Sequence, residues 1–192
     1  MNKSISVAPM MDCTDRHYRY FLRLISKNTK LYTEMIVANA IIKGDRDFHL
    51  KFSQLERPLV LQIGGSNPKE LAQATKIAES YGYDEINLNL GCPSKKVQKN
   101  KFGACLMKEP NLVGECVNEM KNASSLPVTV KTRIGLDNNE DYEFLKKFLT
   151  IIKKAGAKTF IIHARRAILN KLSPKQNLSV PPLNYNFVYN IK

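Results

Sequence analysis

The chain has 192 residues, of which 43% are hydrophobic. This composition predicts a folded globular protein and excludes an intrinsically disordered chain. The formal net charge is +13, from 30 basic and 17 acidic residues. Such a balance is typical either of a solvated surface or of a protein with a polyanionic partner such as nucleic acid. The sequence contains no apolar leader and no apolar run of membrane-spanning length, so we expect a cytoplasmic protein.

Cysteine and histidine spacing gives no indication of a metal site. The four cysteines form no CxxC pair, and the three histidines are scattered along the chain. Structural zinc sites need closely spaced ligands. We therefore expect no bound metal and, in a cytoplasmic protein, no disulfide bonds.

Strand-like and helix-like segments alternate along the chain with short connections, which predicts an α/β protein with a parallel sheet. Six segments have the pattern of strands: 5–8, 31–34, 59–63, 85–90, 128–132 and 159–163.

Helices are predicted between these strands. The clearest one begins at Asn67-Pro68, where Asn67 can cap the free N–H groups and Pro68 suits the first turn. A second helix is predicted over 141–155, with Gly156 as its C-terminal cap.

The stretch from Asn87 to Met107 contains the most informative break in pattern. An apolar/polar alternation of period two ends at Gly91-Cys92-Pro93, which predicts that a strand delivers Cys92 onto a loop. Most free cysteines are buried and inert, but a cysteine between glycine and proline is poorly placed to fill a core. Basic residues follow it closely, at Lys95, Lys96, Lys99 and Lys101.

Each predicted strand ends at a group that can bind or react. In chain order these groups are Pro9-Met10-Met11, Glu34, Gln62, Asn89 with Cys92, Lys131 and His163. In a βα-barrel the active site is built from the carboxyl ends of the strands. The recurrence therefore favours one shared site over separate contacts with solvent.

The residue types at these strand ends suit a heterocyclic ligand. Gln62 can donate and accept side by side, as the edge of a flavin or pyrimidine ring requires. Lys131 can stabilise electron density on a reduced ring, and His163 can bind a phosphate or a ring carbonyl. Lys131 could equally be an ion-pair partner, and His163 could make only a structural hydrogen bond.

A resemblance to a known family appears in motifs that cover nearly the whole chain. The chain resembles the tRNA-dihydrouridine synthases, most closely the A-type bacterial branch with its 20/20a-type enzymes. The motifs occur in the order found in that family: VAPMMDCTDRHYRYFLR, LYTEM, LQIGGSNP, DEINLNLGCPS, FGACLM, VTVKTRIG, FIIHAR and LSPKQN. A match of this extent is far more specific than any single short motif.

The resemblance implies a flavin oxidoreductase that uses FMN, recharged by NADPH, to reduce the C5=C6 bond of a D-loop uridine in tRNA. It also implies roles for individual residues. Cys92 would be the general acid that protonates C5. The residues that would contact FMN are Pro9, Met10, Met11, Gln62, Lys131 and His163. Asn89 and Lys175 would bind the tRNA.

The resemblance further implies a TIM (β/α)₈ barrel, of which residues 1–192 would form the N-terminal portion as a single domain. A complete barrel takes about 250 residues. We therefore expect about six βα units here, without the last two strands and the C-terminal helical domain. The family's LSPK-x-N-R run keeps Lys175 but has Leu178 where arginine is expected.

Two alternatives stay open. The chain could be an inactive fragment that retains RNA binding without flavin. It could also be another pyrimidine-acting flavin barrel, similar to dihydroorotate dehydrogenase, that acts on a free base. The positive charge and the LSPK run favour RNA over a free base.

Overall fold

The computed structural model describes residues 5–139 and 141–192, which form one five-stranded parallel sheet. The strands are β1 Leu31–Val37, β2 Leu59–Gly64, β3 Glu85–Leu90, β4 Val128–Arg133 and β5 Phe160–His163. They lie side by side in chain order, and every neighbouring pair is parallel. Parallel neighbours need crossover connections, which the helices between them supply.

Eight α-helices are assigned in the described residues: α1 Arg16–Ile25, α2 Ala38–Lys43, α3 Arg46–Leu50, α4 Pro68–Glu79, α5 Lys95–Lys99, α6 Pro110–Ala123, α7 Tyr142–Lys154 and α8 Tyr185–Ile191. Short 3₁₀ helices occur at Gln54–Glu56, Gly103–Lys108 and Gln176–Leu178. The predicted start of α4 is confirmed, because Asn67 accepts from the N–H groups of Lys69 and Glu70. None of these helices is long and apolar enough to span a membrane.

The two faces of the sheet differ in chemistry. Alternate strand residues, among them Leu61, Leu88 and Val130, share one apolar cluster with residues of α4, α6 and α7. The residues between them point to the other face, where Gln62, Asn87 and Thr129 lie in register on three adjacent strands. The strands therefore carry an apolar face for the helices and a polar face for the interior.

The prediction of a full first strand over 5–8 was wrong. Only one parallel bridge forms there, between Ser6 and Lys30, with hydrogen bonds of 3.0 Å from Val7 N–H to Lys30 O and from Lys30 N–H to Ile5 O. Pro9 follows, and because it has no N–H it cannot extend a ladder. The other five predicted strands are all found.

The strand β5 is one of the two edge strands of this sheet. All four of its residues are only half-buried, and among the described residues it pairs with β4 alone. The last helix of the described residues, α8, begins at Tyr185.

A glycine fixes the loop that follows β3. Gly103 has φ +74°, a conformation that strains any residue with a Cβ. A Cβ at this position would lie 2.7 Å from the carbonyl oxygen of Cys92 and 2.5 Å from Cγ1 of Val97. This close approach lets Ala104 donate its N–H to Cys92 O at 2.9 Å. The glycine thus lets the 3₁₀ helix at Gly103–Lys108 support the Cys92 loop.

We predict that Gly103→Ala lowers the free energy of unfolding by about 3 kcal/mol, through backbone strain together with steric overlap. Gly82→Ala is the matched control, because Gly82 has φ +85° but open space around its Cβ position. That variant should lose only about 1 kcal/mol. Urea unfolding of both variants measures the difference, and equal losses would contradict the close approach at Cys92.

Candidate active site at the carboxyl ends of the strands

A cavity of about 160 Å³ lies at the carboxyl ends of the strands. Seven of the nine residues predicted for the site line it: Pro9, Met11, Gln62, Asn89, Cys92, Lys131 and His163. Gln62 is on β2, Asn89 on β3, Lys131 on β4 and His163 at the end of β5. The strand register sets Asn89 beside Lys131, and so the parallel sheet brings distant parts of the chain to one place.

The two remaining predicted residues do not line this cavity. Met10 is 38% exposed, and its carbonyl oxygen accepts the N–H groups of Cys13 and Thr14 in a turn. Lys175 is an exposed residue on the loop after β5. Glu34 lies inside β1 and accepts the N–H of Asp12.

Asn89 has a local structural role that the sequence did not predict. Its Oδ1 accepts the backbone N–H of Gly91 at 3.1 Å and of Cys92 at 3.0 Å. Its Nδ2 donates to Oε1 of Gln62 at 2.8 Å. Asn89 therefore shapes the turn that carries Cys92 and also fixes Gln62.

Arg133 holds the same turn from the other side. Its Nε donates to the carbonyl oxygen of Gly91 at 2.9 Å, and its Nη1 donates to those of Asn177 at 3.0 Å and Arg166 at 3.3 Å. This residue lines the cavity and was missed in the sequence. It stands two residues after Lys131 on β4. Side chains two residues apart on a strand lie on the same face, and this spacing would have predicted that Arg133 lies beside Lys131.

Two basic side chains, Lys131 and Arg133, give the cavity its electrostatic character. Burial lowers the pKa of Lys131 to about 8, with a further contribution from the positive charge of Arg133. Burial also lowers the pKa of Arg133 to about 10. No acidic side chain is found among the described residues that line the cavity. The cavity therefore presents positive charge that nothing in its lining neutralises.

His163 responds to the same surroundings. Burial, followed by the charges of Arg133, Lys131 and Arg165, lowers the pKa of His163 to about 4. Its imidazole is therefore neutral at physiological pH and can both donate and accept a hydrogen bond. Within the described part of the chain, no group of three or more His, Cys, Asp or Glu side chains could hold a metal ion.

Cys92 lies between this cavity and a second, larger one. The second cavity has a volume of about 860 Å³ and shares Met11, Met35 and Cys92 with the first. The rest of its lining is mixed, with apolar residues such as Val97 and Phe102 beside charged ones such as Lys96 and Glu70. A thiol in this position can face two ligands at once. Leu178 lines the first cavity, at the position where the resemblance led us to expect an arginine.

Comparison with known proteins identifies the family. Residues 6–192 match the profile of the dihydrouridine synthase family. The tRNA-dihydrouridine(20/20a) synthase of Shewanella oneidensis is 56% identical over 192 residues, which are 100% of this chain and 57% of that protein. The protein of the same name from Vibrio cholerae is 58% identical over 189 residues, 98% of this chain and 58% of its own length.

A third relative of that name, from Escherichia coli K12, is 57% identical over 188 residues, 97% of this chain and 54% of its own length. The chain thus spans somewhat more than half the length of the curated relatives it matches. Among solved structures, the carboxyl transferase domain of Rhizobium etli pyruvate carboxylase overlays with a TM-score of 0.49 at 14% identity, over 91% of this chain and 27% of the other.

The family match also explains the sheet. Dihydrouridine synthases are TIM barrels, and five parallel strands in chain order are an incomplete barrel of this kind. The expected fold class is therefore confirmed. With nearly all its residues matched to one profile and three relatives above 55% identity, this chain belongs to the dihydrouridine synthase family.

Proposed function

We propose that this chain carries the catalytic portion of an FMN-dependent tRNA-dihydrouridine synthase, which reduces the C5=C6 bond of a D-loop uridine with NADPH as the reductant. One observation carries the proposal. In a chain of the dihydrouridine synthase family, Cys92 shares a cavity with Gln62, Lys131 and His163. A proton donor is thereby combined with groups suited to an electron-rich ring.

The residue types that line the cavity support FMN as the cofactor. After its internal hydrogen bonds, Gln62 keeps one N–H and one lone pair for a ligand. Lys131 brings a cation that no acidic side chain of the described lining neutralises, and Pro9 and Met11 add apolar surface. These groups suit a ring with an apolar face, a polar edge and negative charge when reduced.

In this proposal the ring edge is held by Gln62, Lys131 and His163, and Pro9 and Met11 border the ring. Met10 contributes only at the periphery, since it does not line the cavity. Bound FMN supplies the hydride that is added to C6 of the uracil.

Cys92 supplies the proton. Its Sγ donates a proton to C5 of the uracil, which completes the saturated C5–C6 bond, and the thiolate regains a proton from solvent. Asn89 and Arg133 keep the Cys92 turn in one conformation, so the proton donor is positioned before the substrate binds.

The tRNA partner is proposed from charge and from the second cavity. Lys95, Lys96, Lys99 and Lys101 are exposed immediately after Cys92, and Lys96 lines the larger cavity. An exposed basic surface can bind the phosphate backbone while a pocket receives a base that has been turned outward. Asn89 keeps one N–H for the nucleotide, and the exposed Lys175 can reach a phosphate. Because tRNA is a cytoplasmic substrate, we propose that the chain acts there.

A flavin titration tests the cofactor assignment. We predict that adding FMN to the purified 192-residue chain gives saturable perturbation of the flavin absorption bands. Gln62→Leu and Lys131→Met should each weaken binding about tenfold, the equivalent of one lost polar contact. Lys147→Met, which removes an exposed charge on α7, is the control. A folded chain that binds tRNA without FMN would instead support the RNA-binding fragment.

Replacing the thiol separates proton donation from flavin binding. In the flavin-loaded chain, Cys92→Ala should leave FMN affinity unchanged and lower dihydrouridine formation in tRNA by about a hundredfold or more. Cys105→Ala is the matched control, because Cys105 does not line either cavity. Undiminished reduction by the Cys92→Ala protein would rule out the general-acid role.

The lowered pKa of Lys131 predicts a cost in stability. Its folded-state pKa of about 8 lies below the ordinary 10.5, so the unfolded chain binds the proton more tightly. Stability should therefore rise with pH between about 8 and 10.5, and below pH 8 the full destabilisation applies.

Lys131→Met should accordingly raise the free energy of unfolding at pH 7, by about 1–3 kcal/mol. The gain should vanish near pH 11. Urea unfolding at both pH values measures it, with Lys147→Met as the control. A loss of stability at pH 7 would show that the ammonium group is compensated within the protein.

A further inference from the structure

Five buried side chains join in a continuous hydrogen-bond chain across the polar face of the sheet, below the cavity. Asn89 Nδ2 donates to Gln62 Oε1 at 2.8 Å, and Gln62 Nε2 donates to Asn87 Oδ1 at 2.8 Å. Asn87 Nδ2 donates to Thr129 Oγ1 at 2.9 Å, and Thr129 donates to Glu85 Oε1 at 2.7 Å. None of the five is more than 8% exposed. We call these five residues the interior chain.

The acceptor end of the interior chain is the carboxylate of Glu85. Lys30 Nζ lies 2.6 Å from its Oε2. A carboxylate only accepts. Thr129 must therefore donate its proton to Glu85, and its lone pairs are left to accept from Asn87.

The opposite end has the complementary constraint. The backbone N–H groups of Gly91 and Cys92 can only donate, and both point to Oδ1 of Asn89. That oxygen is fixed as the acceptor, so Nδ2 of Asn89 must face Gln62. An isolated amide can be rotated by half a turn with little change in shape, but here two ends of opposite character impose the same direction on every amide.

The donor-to-acceptor direction of the interior chain decides which groups Gln62 presents to a ligand. Its Oε1 faces Asn89 and its Nε2 faces Asn87, so the remaining lone pair and N–H have fixed places. A reversed amide would exchange donor and acceptor at the cavity. Asn87, Thr129 and Glu85 line neither of the two cavities that contain Cys92, and they can influence the site only through Gln62 and Asn89.

We propose that Asn87, Thr129 and Glu85 are positioning residues, which set the orientation of the Gln62 amide and, through Asn89, the turn that carries Cys92. The proposal rests on the proposed function only for the identity of the ligand. The orientation itself belongs to the protein alone and is measured without FMN.

The first test compares Thr129→Val with Thr129→Ser. Valine matches the shape of threonine but breaks the interior chain, whereas serine keeps the hydroxyl. In the unaltered chain and in Thr129→Ser, NMR should find slow exchange with water for the side-chain N–H groups of Gln62 and Asn87. In Thr129→Val this protection should fall at least tenfold, with a comparable loss of FMN affinity. Unchanged protection in a folded Thr129→Val protein would overturn the proposal.

If Thr129→Val does not fold, a second variant tests the positioning role of the interior chain. Glu85→Gln preserves shape but replaces the acceptor-only end with an amide that can also donate, so the direction of the interior chain is then imposed from Asn89 alone. The protection of the side-chain N–H groups of Gln62 and Asn87 should therefore fall. The control is Glu56→Gln, because Glu56 is an equally buried carboxylate, paired with Arg19 outside the interior chain. Unchanged protection in a folded Glu85→Gln protein would overturn the proposal.

The two hypotheses fail differently. If the unaltered chain binds no FMN but Thr129→Val still loses amide protection, the proposed function is contradicted and the interior chain is supported. If Thr129→Val loses protection but binds FMN as tightly as Thr129→Ser does, the positioning role is overturned and the flavin site stands.

Discussion

A buried side-chain amide needs hydrogen-bond partners for both its N–H groups and its oxygen, and the candidate site depends on that requirement. Gln62, Asn87 and Asn89 occupy the polar face of two adjacent strands, β2 and β3, where water cannot solvate them. An unpaired amide in such a place is costly, whereas a fully paired network is rigid and has one arrangement. The hydrogen bonds that satisfy these amides also fix the turn at Cys92, so fold and site share the same contacts.

The charges of the basic side chains in the cavity, unlike the hydrogen bonds of its amides, are not balanced within the described lining. Lys131, Arg133 and His163 meet at the rim with no acidic side chain in the described lining, and burial lowers the pKa of all three. A fold selected only for stability would neutralise or expose such groups. Their persistence agrees with a ligand that brings negative charge, and destabilised groups of this kind are typical of functional sites.

The sequence predicted what depends on local pattern. Strand alternation located five of the six predicted strands, and the chemistry at the strand ends brought together Gln62, Cys92, Lys131 and His163. It did not predict contacts that depend on register between strands. The bonds from Asn89 to Gln62 and from Arg133 to Gly91 join residues that are 27 and 42 positions apart. Exposure also depends on tertiary packing, and so Met10 and Lys175 could not be placed from sequence alone.

The most direct measurement is an NMR titration of the isotope-labelled chain with FMN, followed at the side chains of Gln62, Lys131 and His163. A preformed flavin site at the carboxyl ends of the strands predicts saturable shifts at all three, together with a rise in the pKa of Lys131 from about 8 as reduced FMN binds beside it. Shifts confined to exposed lysines, such as those of α7, with none at Gln62 or His163, would contradict the account.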